Sequence, residues 1–285
     1  MTANTLANAA MPLSDAASLG GFLRERRARL RPGPGAPGRR RTPGLRREEV
    51  AARAGVSVTW YTWLEQGRGG PPSDEVLERL ARALELDAAG REVMFLLAQQ
   101  RPPPLNPGAT PAVPPALQRV LDALVLSPAF VRTPTWDVVA WNAAAEAVLT
   151  LFTGAPEGER NALRRLFRDP AAVQFPHLEW EHIARFAVGV FRVDVARAGM
   201  GPEAAALIAE LEVASPEFRR FWAESDARHH GFGRKLLNHP EGGVLEMDFA
   251  AFSVDGAPGL NMIVYTPASP AAAEAVARLM AKRCA

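Results

Sequence analysis

Apolar positions recur at helical spacing through residues 19–99, in five segments separated by strong breakers. Leu19, Phe22, Leu23 and Leu30 give one face to a first helix, which the Pro- and Gly-rich stretch 32–38 must end. Val50, Ala51, Ala54, Val56, Tyr61 and Leu64 form the seam of a helix pair, with Gly55 in the tight turn and Ser57 capping the second helix. Ser73 is placed to cap a fourth helix, with Val76, Leu77, Leu80 and Leu84 on its inner side. A fifth, Ala88 to Gln99, carries Val93, Met94, Leu96 and Leu97. The pattern predicts an all-α domain over 19–99, preceded by a disordered tail at 1–18.

Residues 102, 103, 104, 107, 111, 114 and 115 are proline, so 100–116 reads as a semi-rigid spacer between domains. From 117 to 285 the pattern changes. Ala129–Arg132 and Trp136–Trp141 read as two strands separated by Pro134, and Asn142 can cap the Ala-rich helix that follows. A helical block over about 160–224 is interrupted near Asp169-Pro170, Gly199–Pro202 and Ser215-Pro216. Arg234–Asn238, Val244–Ser253 and Leu260–Thr266 read as three more strands, turned by Gly242-Gly243 and Asp255-Gly256, before a last helix at Ala271–Lys282. Strands, helices, then strands predict an α+β domain: an antiparallel sheet with helices packed on one face. The chain therefore reads as multidomain, a five-helix domain followed by a sheet domain.

Composition adds a charge asymmetry. The net +2 divides into +5 over residues 1–101, which contain no Lys, and −3 over the rest. Phe22 to Arg53 holds eleven Arg against three Glu. A solvated basic face is the ordinary reading of such a run; guanidinium forks this dense also suit phosphate oxygens. One cysteine, Cys284, excludes an intramolecular disulfide and a Cys-based zinc finger. No apolar run is long enough to span a bilayer, and the N-terminus lacks the build of a secretory signal, so a cytoplasmic protein is expected.

Two short helices joined by a Gly turn form a helix-turn-helix, whose second helix lies in the DNA major groove. On that helix Val58, Thr59, Thr62 and Trp63 face outward behind Ser57, and can reach base edges or thymine methyls. Arg46 and Arg47 open the first helix, Arg68 follows the second, and Arg39, Arg40 and Arg41 precede the pair; these suit phosphates or a neighbouring minor groove. The competing reading is a helix pair used for protein contacts, with the tryptophans in an interface.

In the sheet domain, Phe130, Trp141, Phe152, Phe167, Trp180, Phe221, Trp222 and Phe249 are candidates for lining an apolar ligand cavity, although any single ring is more often core. Asn142, Arg160, Asn161, Arg185, Arg228 and His239 are the candidate polar groups; an Arg there can pair with a ligand carboxylate or simply form an ion pair. His177 and His182 are five apart and His229-His230 adjacent, so none has metal-ligand spacing, and no metal is expected. There is no nucleophile elbow or Gly-rich phosphate loop, so an enzyme is not expected.

The chain resembles the MmyB-like transcription regulators, which join a helix-turn-helix of the xenobiotic-response-element type to a PAS-like domain. The resemblance spans Leu19 to Pro267. It rests on Arg39 to Ala51, Gly55 to Thr62, Leu64 to Arg68, Trp136 to Asn142, Ser215-Pro216-Glu217-Phe218 and His239-Pro240-Glu241. One position departs: Trp63 stands where the family usually has Arg. The resemblance implies a DNA-binding regulator, a homodimer, and a fatty-acid-like small molecule in the second domain, with no other cofactor. The alternative keeps the DNA-binding domain but makes the second domain only a dimerisation or partner-binding module.

Overall fold

The structure is a computed structural model and describes residues 18–31, 44–104, 112–149, 156, 159–168, 177–224, 226–228 and 231–283, with backbone alone at 177–179. The chain splits into two compact units between Pro104 and Leu105, within the Pro-rich stretch. The tail before Ser18, and Arg39, Arg40, Arg41 and Phe152, lie outside the described residues.

The first unit contains α1 (Leu19–Arg29), α2 (Arg47–Ala54), α3 (Val58–Glu65), α4 (Asp74–Ala83) and α5 (Ala88–Gln99). Each begins where a local signal says it should. Ser18 Oγ accepts the Gly21 N–H at 3.0 Å, Ser57 Oγ that of Trp60 at 3.1 Å, and Asp87 Oδ1 that of Gly90 at 2.8 Å. Ser73 occupies the corresponding position before α4 but makes no side-chain bond; Asp74 and Glu75 supply the first-turn negative charge instead. Leu23, Leu45, Val50, Tyr61, Leu77 and Phe95 sit in a shared core. Burying each such side chain contributes roughly 1.5–3 kcal/mol. Gly55 ends α2 at φ +65°, and a Cβ there would meet nothing within 4 Å; glycine is needed for the left-handed backbone, not for space.

The second unit runs α6 (Pro115–Ala123), β1 (Ala129–Arg132), β2 (Val138–Trp141), α7 (Ala143–Leu149), α8 (Ala162–Arg168), α9 (His177–Ala198), α10 (Pro202–Ala214), α11 (Pro216–Ala223), β3 (Phe232–His239), β4 (Gly243–Ser253), β5 (Asn261–Pro267) and α12 (Pro270–Arg283). All pairings are antiparallel, as expected, and the strand order is β2-β1-β5-β4-β3. Phe130, Met247, Phe249, Ile263 and Tyr265 face α7 and α12, where Val148, Val276 and Leu279 complete one core. α9, α10 and α11 build a second around Phe191, Leu211, Phe218 and Phe221.

Two expectations need correction. Helices do not pack on one face only: α6 lays Leu117 and Leu121 against Val131, Ala140 and Val264 on the opposite face. The proline-rich reading of 100–116 concealed this helix, although Pro115 stands at its first position, where a missing N–H costs nothing. The second strand also begins at Val138, not Trp136, because Trp136 adopts φ +66° and closes a turn by donating its N–H to Thr133 O at 3.0 Å.

Asn142, just after β2, ties several segments together. Its Oδ1 accepts the backbone N–H groups of Ala129 and Ala145 at 3.0 and 2.8 Å. Its Nδ2 donates to the carbonyls of Leu121, Leu124 and Ser127 at 3.1, 2.9 and 2.9 Å. One buried amide thus caps α7 and fixes the route from α6 into β1. Asn142→Leu, of similar volume, leaves those backbone groups unmet and is expected to destabilise the second unit by more than about 3 kcal/mol. Urea unfolding of the full chain measures this; a loss below about 1 kcal/mol would contradict the assigned role.

Candidate DNA interface and effector site

The outer side of α3 is open. Val58 is 45% exposed and Trp63 51%, with Ser57 and Thr59 also exposed and Thr62 half-buried, while Tyr61 and Leu64 turn into the core. The hydroxyls of Thr59 and Thr62 differ. Thr62 Oγ1 donates to Val58 O at 2.8 Å, within its own helix, whereas no such bond commits Thr59. Arg46 and Arg68 are exposed. Arg46 contacts Glu48 at 3.4 Å, and its backbone N–H donates to Glu49 Oε2 at 2.6 Å, securing the first turn of α2.

A carboxylate that the sequence pattern marked only as part of a motif sets this geometry. The Glu65 side chain, at the last turn of α3, is fully buried. Arg27 of α1 donates to it twice, Nε to Oε1 at 2.6 Å and Nη2 to Oε2 at 3.2 Å, and Arg47 of α2 donates Nε to Oε2 at 2.7 Å. Arg27 also donates to Leu45 O at 2.9 Å, and Arg24 to Glu65 O at 3.1 Å. Burial alone would raise the Glu65 carboxyl, but the hydrogen bonds from Arg27 and Arg47 outweigh it and hold the group below the usual carboxylate range. Burial beside this carboxylate pushes the Tyr61 hydroxyl upward. Gly20 makes the approach possible: a Cβ there would stand 2.4 Å from Glu65 O. Arg47 is therefore already held inside its own unit, though its side chain stays 43% exposed toward solvent.

The described aromatic candidates of the second unit are spread over two cores. Phe130, Phe167, Phe221 and Phe249 are buried in the two cores, and Trp141, Trp180 and Trp222 are half-buried around them. The rings meet one another: Phe167 lies 5.1 Å from Phe218, Phe218 5.9 Å from Trp222, and Phe249 6.4 Å from Phe186. Trp180 Nε1 donates to Leu166 O at 3.2 Å.

The polar candidates are mostly committed to the fold. Asn161 donates to Thr135 O at 2.7 Å and Asp137 Oδ1 at 2.9 Å, and accepts from the N–H groups of Leu163 and Arg164 to start α8. The buried His239 accepts from Glu241 and Gly242 at Nδ1, so Nε2 carries the proton donated to Ala147 O at 3.1 Å. Ser215, of the Ser215-Pro216-Glu217-Phe218 motif, caps α11 by accepting the Phe218 N–H. Arg185 pairs with Glu181 and Glu224 over the Phe221 ring, and Arg160 lies over Trp141 at 5.2 Å. Arg228 pairs with Asp226 at 3.0 Å and also lines a small polar cavity with Arg132, Asp194, Arg197 and Asn261, four residues that the sequence pattern did not single out. Arg132 occupies a strand end where periodicity asks for an apolar residue, and that break was the available signal.

A family model described as the MmyB-like transcription regulator ligand binding domain matches residues 113–279, and a helix-turn-helix domain model matches residues 18–94. No curated protein matches the chain.

The buried carboxylate gives a pH dependence. Because the folded Glu65 pKa is depressed, its stabilisation is present above the unfolded value of about 4.3 and is lost as pH falls through the folded pKa. Glu65→Gln is expected to cost about 3 kcal/mol near neutral pH, by leaving Arg27 buried without its anion, and to flatten the acid limb. Thermal unfolding of the full chain from about pH 6 down to 3 checks both. An unchanged acid limb in the variant would show that other carboxylates control it.

Proposed function

The chain belongs to the MmyB-like transcription regulators, and on that premise we propose that it recognises a specific DNA sequence as a cytoplasmic homodimer. In the same reading its second domain binds an apolar, fatty-acid-like small molecule that controls DNA binding, and it is not an enzyme. The observation that carries the DNA reading is the open face of α3, with Val58, Thr59 and Trp63 outward and its inner side pinned through Glu65. Such a helix can enter a major groove without prior rearrangement of its own unit. Two copies on half-sites one helical turn apart, or a multiple of it, would double the contacts.

Trp63, in place of the family's usual Arg, gives up a charged contact for a large apolar surface. It suits a thymine methyl better than a guanine edge. Thr59 offers an uncommitted hydroxyl. Thr62 contributes mainly a methyl, because its hydroxyl proton is used within the helix.

The effector reading is supported by the family's ligand-binding domain and the large aromatic content of 117–285. One observation favours the alternative of a dimerisation or partner module: the described candidates Phe167, Trp180, Trp222 and Phe249 each pack against a neighbouring core ring. Solvent extraction and mass spectrometry of the purified chain, followed by titration with long-chain fatty acids, separates the two. A co-purifying lipid or saturable binding supports the effector; neither would leave the alternative.

Selection of bound fragments from random duplexes, followed by gel shifts, tests the DNA reading. Thr59→Ala and Trp63→Ala are each expected to narrow the gap between the selected site and random duplex by about 1 kcal/mol, roughly fivefold, whereas Thr62→Val should change it little. Arg47→Ala should weaken binding to all duplexes and lower the salt slope by about one. Equal loss on every sequence from the Thr59 and Trp63 changes would contradict the assignment.

A further inference from the structure

β3 is an edge strand of the sheet, and its residues alternate between two faces. Lys235 falls on the inner one. Its cross-strand partner is Met247, and Leu237 on β3, Leu245 and Phe249 on β4, and Tyr265 on β5 share its side of the sheet. Those five residues are buried in the core against α7 and α12, whereas Lys235 is half-buried. Alternation asks for an apolar residue at this position, and the chain supplies an ammonium group.

Among the described residues Lys235 forms no ion pair. Its Nζ lies 4.7 Å from the centre of the Phe249 ring and 5.7 Å from that of Tyr265, and it donates to the Tyr265 hydroxyl at 3.5 Å. The acids of β4, Glu246 and Asp248, alternate to the opposite face, where both pair with Arg234. Tyr265 is 7% exposed, and among the described residues its hydroxyl accepts the Lys235 bond without an acceptor for its own proton. Two donors, one of them charged, therefore converge on the inner face. The rings attract the ammonium, but only an acceptor completes the hydrogen bonds of the pair on the buried side.

We propose that Lys235 and Tyr265 form the head-group site for the ligand of the second unit, and that this ligand is an ionised long-chain carboxylate, selected over the neutral alcohol or ester of the same length. The inference rests on the apolar-effector reading above and sharpens its chemistry. A carboxylate accepts a charge-assisted bond from the ammonium and a second bond from the Tyr265 hydroxyl. One positive charge matches a monoanion, whereas a phosphate head group carries more negative charge than the pair neutralises. The rings under the ammonium mark where hydrocarbon begins, so charge and apolar surface meet in the order a fatty acid presents them. Repacking of the core admits the tail, while the head group finds its donors already in place.

The test titrates the full chain with decanoate and with decanol by calorimetry, at constant ionic strength and below the concentration at which either probe self-associates. The wild-type chain should bind decanoate at least about tenfold more tightly than decanol, the usual worth of a hydrogen bond to a charged group. Lys235→Met keeps the apolar stem and removes the charge. It should weaken decanoate at least about tenfold, leave decanol within about twofold, and keep the wild-type unfolding midpoint. Lys235→Arg should retain the preference for the acid, and Tyr265→Phe should reduce it. Equal binding of the two probes by the wild-type chain, or a preference that survives Lys235→Met, would overturn the head-group site and leave the apolar effector standing. Unchanged binding with new self-association of the Met variant would also overturn it, marking Lys235 as a guard of the free β3 edge against strand addition. If neither probe binds, this site falls together with the effector reading.

Discussion

One buried carboxylate governs the geometry of the first unit. Glu65 receives hydrogen bonds from Arg27 on α1 and Arg47 on α2 while itself belonging to α3, so a single anion fixes three helices. A charge taken out of water needs compensation of this quality, and two guanidinium groups provide it. The cost of leaving any member alone makes other helix arrangements unfavourable. Gly20 completes the constraint by letting α1 approach the carbonyl end of α3. The exposed face of α3 is then presented at a fixed angle to α2, as insertion into a groove of fixed width requires. Arg47 serves both sides of this arrangement, bonded inward by Nε and partly exposed outward.

In the second unit, several polar residues of the sequence motifs solve backbone problems. Asn142, Asn161, Ser215 and His239 each satisfy N–H or C=O groups where a helix starts or a strand turns. A buried side chain with both donor and acceptor can do this at a junction that regular secondary structure cannot reach. Polar residues beside aromatic ones also suggest a binding pocket, and sequence alone offers no way to tell the two uses apart. The difference lies in which backbone groups are nearby, and those come from segments up to 92 residues away, as for His239 and Ala147.

What was legible in the sequence followed the range of the interactions. The helix pair was readable because its signals are local: apolar spacing, Gly55 for a positive φ, and Ser57 for a cap. The strands were readable from alternation and turn residues, but their order β2-β1-β5-β4-β3 depends on pairing between distant segments. α6 was hidden by its proline-rich approach. Glu65 lies 38 residues from Arg27, so the motif containing it was visible while its electrostatic role was not. The cavity drew its residues from β1, α9, β4, β5 and the segment before β3, and only Arg228 among them stood out in the chain.

These placements constrain how the second domain can sense anything. A ligand shifts an equilibrium only by the difference in its affinity for the two arrangements. The described aromatic cores are packed ring on ring, and interiors of that kind cannot admit an acyl chain without displacing side chains already in contact. An apolar effector entering the described cores would have to bind a repacked form, which lowers the apparent affinity by the rarity of that form.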